Sequence, residues 1–396
     1  MKIKMILPPP NTTIRLLVLD FLSRALHIIT KLGTIDIYVI DTDTIEFEAP
    51  DTDTFRTTLE DMLKSIGIEL EARINNVLDF SIHRNDKEKL SQILGRQIGT
   101  GEKFMHVLVE ILKNASLTPQ DLMDLSKISI SGRKTLSIVM GAKNFPLPQC
   151  AAFDRYESRY EFPKGRYGGK IEIRMSKIWY LIILAGIALS YLGAKVVKKG
   201  TLELYFVHVP FNLLEFYAID PTILELIHGN NGIVPFLKHL TGVYPNRMIP
   251  YIIYISCEVA KRLKQSKELL NLYLDKLPEI IFDRVMTTGR AYTLIERYPV
   301  FLRGLIDELS KFDDYVLNEI SRCAQRALWD KDFEYHLNFI TKLYLTLSGS
   351  TGIYDAIYYY GRVLIEKEIE TADDKKKSMI RQKMMKFLKK ILNLSE

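Results

Sequence analysis

The sequence predicts an α+β fold: a mixed N-terminal α/β domain over residues 1–215, followed by a mainly helical domain over residues 216–396. Three observations support this. Short alternating apolar segments recur in the first half, turn and cap signatures separate them, and helical periodicity fills nearly every segment from Pro250 to Glu396. The chain has 396 residues, of which 47% are hydrophobic and 26% charged, as expected for a folded protein with a large core.

The first domain begins with alternating predictions of strand and helix. MKIKMIL predicts a strand, Thr12–Leu32 predicts a helix, and IDIYVI predicts a second strand that TIEFEA extends or pairs with. Two or three helices are expected between Asp53 and Asn114. Thr118 before Pro119 marks the start of another helix, and Lys127–Gly141 predicts a hairpin that turns near Ser131.

A run of 17 uncharged residues, Ile178–Ala194, has two interpretations. A bilayer span needs about 20 apolar residues, and basic residues flank this run at both ends, so no charge asymmetry orients it. Ser176 is a candidate N-cap, and Gly193 is a candidate left-handed C-terminal residue. We therefore predict a buried core helix, followed by a strand over Thr201–Val209, with a membrane span as the alternative.

The second half predicts a series of helices, of which RYPVFLRGLIDELSKF and DYVLNEISRCAQRALW are examples. The last helix, near the C-terminus, combines many lysines with an apolar stripe, whose members are Met379, Ile380, Met384, Phe387, Leu388, Ile391 and Leu392. Such a helix suits a membrane surface, a nucleic acid or a partner helix. Docking on its own domain is the simplest expectation.

Positive charge is concentrated in one segment. Lys127–Lys177 contains eleven Lys or Arg and four acids, a net charge of +7, whereas the whole chain has +6. Aromatic residues are interleaved with these charges, and KGRYGGK adds three glycines that allow close backbone approach. Phosphates attract Lys and Arg, and unpaired bases stack on aromatic rings, so the segment predicts nucleic-acid contact. The alternative is a solvated surface with the aromatic rings turned inward.

The best catalytic candidate is IDIYVIDTDTI, which imitates the DxDxT motif of haloacid-dehalogenase-type phosphatases. In that motif Asp41 would be the nucleophile and Asp43 the general acid of a Mg²⁺-dependent phosphoester hydrolase. The near-copy DTDT at Asp51–Thr54 instead favours an acidic loop and a helix cap. No P-loop is present, and the seven histidines form no metal-ligand spacing, so we expect no catalytic residue, metal or cofactor.

Cysteine usage and the N-terminus both predict a cytoplasmic protein. Cys150, Cys257 and Cys323 lie far apart in the sequence, which indicates neither a zinc site nor a disulfide framework. No apolar segment of useful length precedes the prolines at residues 8–10, so we expect no signal peptide.

The segment YESRYEFPKGRYGG…ALSYLGAK, within Tyr156–Lys195, resembles the large subunit of archaeal subtype I-A CRISPR surveillance (Cascade) complexes. The size and the order of the two halves also resemble that family. The resemblance implies a non-enzymatic subunit that holds the 5′ end of a guide RNA, reads a short duplex motif beside the target DNA, and helps recruit a helicase-nuclease. Its partners would be guide RNA, target DNA, other CRISPR complex subunits and the helicase-nuclease, with no membrane.

Ten residues of the basic segment are the candidates for nucleic-acid binding. Duplex contact is expected from Lys164, Arg166, Tyr167 and Lys170, because groove entry needs small residues beside Lys or Arg. Contact with an RNA or DNA backbone is expected from Arg133, Lys134, Lys143, Arg155 and Arg159. Arg174, near the end of the segment, completes the set.

Overall fold

The computed structural model describes most of the chain: residues 1–10, 12–131, 135–155, 170–209, 221–229, 232, 234–235, 248–264, 280–288, 292–300, 302–329, 334–370 and 372–392. Two compact units are distinguished. The first contains Met1–Gly242 and Ile280–Pro299, and the second contains Val243–Glu279 and Val300–Glu396. The units therefore interleave along the chain, whereas the sequence predicts a single boundary at residue 215.

The predicted fold class is confirmed: sheets and helices mix in the N-terminal region, and the C-terminal part is mainly helical. The described strands are β1 Lys2–Ile6, β2 Asp36–Asp41, β3 Thr44–Glu48, β4 Ile128–Ser131, β5 Thr135–Met140, β6 Phe145–Pro146, β7 Lys170–Met175, β8 Tyr191–Lys198, β9 Thr201–His208, β10 Ile280–Thr287 and β11 Tyr292–Val300. They form three sheets with the strand orders β1-β3-β2, β4-β5-β7-β6 and β11-β10-β9-β8.

Helices of the first unit are α1 Thr13–Leu32, α2 Thr52–Ile74, α3 Arg84–Leu94, α4 Phe104–Lys113, α5 Pro119–Met123, α6 Lys177–Ser190 and α7 Pro221–His228. Those of the second unit are α8 Met248–Lys264, α9 Leu302–Ser310, α10 Asp314–Trp329, α11 Glu334–Leu347, α12 Ile353–Tyr358, α13 Ile365–Glu370 and α14 Asp374–Leu392. A π-helical turn, Tyr359–Leu364, joins α12 to α13.

Side-chain caps begin two helices, and the sequence predicts one of them, at Thr118. The Thr12 hydroxyl accepts a hydrogen bond from the Arg15 amide at the start of α1 (3.2 Å). Thr118 and Asp121 form a reciprocal capping box at the start of α5. Each cap satisfies amide groups that have no partner inside the helix, so these helix starts are determined locally.

The buried-helix prediction is confirmed for α6, in which every residue from Ile178 to Ser190 is buried. Its predicted C-terminus is wrong. The helix ends at Ser190, and β8 begins at the next residue, so Gly193 lies in a strand. Gly193 has a φ of 146°, at a point where the pairing of β8 with β9 shifts register, and it therefore accommodates a strand irregularity.

An arginine from α2 explains why α6 ends without a glycine cap. The Arg73 guanidinium donates hydrogen bonds to the carbonyl oxygens of Ala188 and Tyr191, which the helix itself leaves unpaired. Burial lowers the pKa of Arg73 to about 10, although Glu69 acts in the opposite direction. A cation at the carboxyl end of a helix also interacts favourably with the helix dipole.

The prediction of helices in nearly every segment of Pro250–Glu396 is wrong at two places. Ile280–Thr287 and Tyr292–Val300 are the strands β10 and β11, and β10 pairs with β9 antiparallel from Ile281–His208 to Thr287–Leu202. Their apolar residues fit a strand as well as a helix, and pairing with a buried strand decided the outcome.

In the second unit, helices pack around a common apolar interior. Helix α10 packs on α8 and α11. Phe339, Tyr360 and Phe387 are each at most 1% exposed, and the Tyr360 and Phe387 ring centres lie 4.1 Å apart. These rings connect α11, the π-helical turn and α14.

None of the helices in the described part of the chain has both the length and the hydropathy needed to cross a bilayer. The membrane-span interpretation of Ile178–Ala194 therefore finds no support in α6.

Candidate nucleic-acid interface

The sheet β4-β5-β7-β6 carries the described part of the basic segment. Strands β5 and β7 are parallel, with Cα pairing from Thr135–Lys170 to Met140–Met175. Their core-facing residues, Ile138, Met140, Ile173 and Met175, are at most 1% exposed. Since side chains alternate along a strand, the residues between them belong to the opposite face.

That opposite face is polar apart from the buried Val139. Ser129 and Ser131 on β4 are exposed, Ser137 on β5 is half-buried, and on β7 the Arg174 Nε donates to Glu172 Oε1 over 2.9 Å. The side chains of Arg174 and Glu172 are 37% and 45% exposed.

Because β5 and β7 run parallel, both strands begin at the same end of the sheet. Thr135 opens β5 directly after residues 132–134, and Lys170 opens β7 directly after residues 156–169. Thr135 and Lys170 are register partners. The chain therefore enters both strands at neighbouring points of the same sheet edge.

Six of the ten predicted binding residues lie outside the described residues: Arg133, Lys134, Arg159, Lys164, Arg166 and Tyr167. Two others are described as backbone positions. Arg155 ends the short helix Gln149–Arg155, and Lys170 begins β7.

The two remaining candidates, Lys143 and Arg174, lie toward the other end of this sheet. Lys143 is exposed and follows the carboxyl end of β5, and Arg174 pairs with Val139 of β5 and Pro146 of β6. A six-residue strand is about 17 Å long. We call the end of the sheet where β5 and β7 begin the strand-entry edge. Lys143 lies toward the opposite end from Lys170, so the predicted binding residues divide into two groups.

The DTDT motif forms a tight antiparallel hairpin between β2 and β3. Asp41 Oδ1 accepts the Asp43 amide (2.8 Å), and Asp43 Oδ1 pairs with Arg15 Nη1 (2.6 Å). Each carboxylate thus has a partner within the turn or on α1. This arrangement favours the loop-and-cap interpretation, and the nearby Asp51 caps α2 through the Thr54 amide (2.7 Å).

A metal centre was not expected from the sequence. Within the ranges that the structure describes, no group of three or more His, Cys, Asp or Glu side chains is arranged to hold a metal ion.

The structure contains a buried ion-pair network around His208 that was not predicted from the sequence. His208 Nδ1 lies 2.6 Å from Asp20 Oδ2, and His208 Nε2 lies 3.4 Å from Asp283 Oδ2. Arg297 Nε donates to Asp283 Oδ1 (2.7 Å), and its Nη2 donates to Asp283 Oδ2 (2.5 Å) and to the Thr13 hydroxyl (2.9 Å). The network joins α1, β9, β10 and β11.

The electrostatics of this network favour charged groups. Burial disfavours protonated His208, but the Asp20 and Asp283 carboxylates outweigh it and raise the pKa of His208 to about 9. Burial likewise disfavours the Asp283 carboxylate, yet Arg297 and His208 lower its pKa. His208 is 1% exposed and Asp283 1%. A solute has no access to them, so we assign these groups a structural role.

A second histidine, His106, also pairs with a carboxylate. Its Nδ1 lies 2.7 Å from Asp79 Oδ2, and Asp79 accepts the amides of Phe80, Met105 and His106. The carboxylate therefore caps the start of α4, and the histidine ring completes its hydrogen bonds.

Sequence spacing could not reveal these pairs, because Asp20 and His208 are 188 positions apart. The one feature of the sequence that pointed to the network was a histidine in the otherwise apolar strand end YFVHV.

No protein-family model matches the chain, and no curated protein matches it.

Proposed function

We propose that this chain is a non-enzymatic nucleic-acid-binding subunit of a CRISPR RNA-guided surveillance complex. In this role it contacts guide RNA and the duplex motif beside the target DNA, and it helps to recruit the helicase-nuclease. It works in the cytoplasm together with other subunits of the complex. The proposal combines the resemblance carried by residues within Tyr156–Lys195 with the geometry of the β5–β7 sheet edge.

The observation that carries the proposal is the parallel register of Thr135 with Lys170. Two basic segments lead into these two strands, one containing Arg133 and Lys134, the other containing Lys164 and Arg166. Consecutive Cα atoms are about 3.8 Å apart, so both segments reach the sheet at neighbouring points. Thr135 and Lys170, far apart in the sequence, are thereby neighbours, and a polyanion site would need the cations of the two preceding segments to lie close together.

The polar sheet face supports the same proposal. Hydroxyl groups and arginines supply many of the contacts that proteins make to nucleic-acid phosphates. Ser129, Ser131 and Ser137 provide such hydroxyls. Arg174 pairs with Glu172 at 2.9 Å, so the two side chains together add no net charge to this face.

Alanine at Lys164, Arg166 and Lys170 is expected to weaken nucleic-acid binding by the full-length chain. We expect the binding free energy to fall by about 1–3 kcal/mol at moderate salt. The salt dependence should become shallower by about one unit for each phosphate that the variant no longer neutralises. Fluorescence anisotropy with duplex and single-stranded oligonucleotides, repeated across salt concentrations, measures both quantities.

The matched control removes three lysines of the same unit that already pair with glutamates. These pairs are Lys2–Glu46, Lys31–Glu225 and Lys113–Glu71, each with a distance of 2.8 Å. Alanine at these three lysines removes the same formal charge and should leave binding close to the parent level. Equal weakening in both variants, or none in either, would show that the strand-entry edge is a solvated surface.

Membership of a complex is tested by purification of the tagged full-length chain from its native cells. We expect other CRISPR subunits in the mass spectrum and small guide RNAs with a shared 5′ sequence in the sequenced RNA. Recovery of the chain alone, without RNA, would contradict the proposed complex. The binding measurements remain an independent test of the nucleic-acid interface.

A further inference from the structure

Helix α14 carries a second concentration of positive charge, in the other unit. Asp374–Leu392 contains eight Lys or Arg and one Asp, a net charge of +7. The whole chain has a net charge of +6, so this 19-residue helix alone exceeds the charge of the entire protein.

The apolar stripe of α14 is used within its own unit. Phe387 and Ile391 are buried, at 0% and 2% exposure, and the helix packs on α13 and α10. A membrane surface would need this stripe to be free. The large apolar side chains that remain exposed on the described part of α14 are Met379 and Met385.

Three of the eight cations have acidic partners. Lys390 pairs with Asp313, Lys376 with Asp373 (3.3 Å) and Lys377 with Asp374 (3.1 Å). The other five are exposed and form no ion pair with any residue that the structure describes: Lys375, Arg381, Lys383, Lys386 and Lys389. Lys386 Nζ lies 4.4 Å from the centre of the Tyr315 ring on α10.

Three of these five cations share one face of the helix. At about 100° per residue, Lys375, Lys386 and Lys389 fall within about 60° of one another, opposite Ile391 and about 100° or more away from Phe387. Between Lys375 and Lys389 the helix rises about 21 Å. Ser378 and Gln382 lie between them on this face, and the exposed Met379 lies beside Lys386, so the surface is basic and mainly polar.

We propose that the solvent face of α14 binds the phosphate backbone of a nucleic acid. About 21 Å of duplex carries roughly a dozen phosphates, which matches a long row of cations better than a single anionic group does. Lysine acts as a point charge and does not read base edges, so the contact is independent of sequence. The inference goes beyond the proposed function, since it depends on charge and packing in the second unit alone.

Replacement of Lys375, Lys386 and Lys389 by glutamine in the full-length chain tests this inference. Binding to a labelled single strand and to a duplex of about 30 nucleotides is expected to weaken about tenfold near 0.1 M salt, with a slope shallower by about two to three units. A thermal melt like that of the parent is expected, because all three side chains are exposed.

The matched control places glutamine at Lys311 and Lys367, which pair with Glu308 and Glu370 in the same unit, and at Lys342, whose contact with the Tyr359 ring matches that of Lys386 with the Tyr315 ring. Binding within about twofold of the parent is expected for the control. Equal weakening in both variants would overturn the inference in favour of a net-charge effect, and unchanged binding in the α14 variant would overturn it outright.

Sedimentation with phosphatidylserine vesicles is the third arm: loss of vesicle binding with unchanged nucleic-acid binding would assign this face to a lipid surface. The Lys164, Arg166 and Lys170 variant is measured in parallel, so failure at either site is distinguished from failure at the other.

Discussion

Leu184→Asp is expected to unfold the first compact unit. Leu184 is 0% exposed and lies in the middle of α6, where all residues from Ile178 to Ser190 are buried. An unpaired buried carboxylate costs several kcal/mol or more, whereas a whole domain is stable by only about 5–15 kcal/mol. Circular dichroism and a thermal melt of the purified variant measure the effect.

Residues packed against α6 explain why no local rearrangement of the helix relieves the free-energy cost of the buried aspartate. A side chain at Gly186 would collide with the Leu17 carbonyl, so α1 lies directly against the helix. Trp179 Nε1 donates to the Asp124 carbonyl over 2.9 Å, which fixes the other end. Leu184→Met is the matched control, because a swap of similar volume usually costs less than about 1.5 kcal/mol. An aspartate variant that melts like the methionine variant would show that α6 is not a core helix.

The stability of the first unit is expected to fall as pH rises from about 6.5 to about 9. The pKa of His208 is about 9 in the folded protein, and its ordinary value is 6.5. Below pH 6.5 the histidine is protonated in both states, so the stabilisation by Asp20 and Asp283 is complete. Between these values only the folded state keeps the proton, and the free energy of unfolding from this group falls by about 1.4 kcal/mol per pH unit. Above pH 9 this contribution is lost.

His208→Gln is expected to remove this pH dependence and to lower stability at neutral pH by about 3–5 kcal/mol, because Asp20 and Asp283 lose a buried cation. Urea unfolding at several pH values, with the variant and the parent side by side, isolates the contribution of this residue. His106→Gln is the control: that histidine is largely exposed, at 55%, and faces Asp79 at 2.7 Å. A His208 variant that keeps the parent's pH slope would show that the ring is neutral in the folded state.

Much of the local structure of this protein was determined by its sequence alone. The Thr12 and Thr118 caps, the strand at Lys2–Ile6 and the burial of α6 all follow from residues within a few positions of one another. Caps and periodic apolar residues act over one or two turns, so their energies are present in any tertiary context. The acidic loop at Asp41–Thr44 belongs to the same class, since its turn contact spans two residues.

Only the tertiary structure decided which distant segments meet. Ile280–Thr287 became a strand because β9 offered it a partner. The segment ends at Thr135 and Lys170 became neighbours because β5 and β7 pair in parallel. Asp20, 188 positions away, raises the pKa of His208 together with Asp283. Strand pairing and buried ion pairs draw their energy from contacts that exist only after the chain has closed long loops, and a local pattern in the sequence carries no record of those contacts.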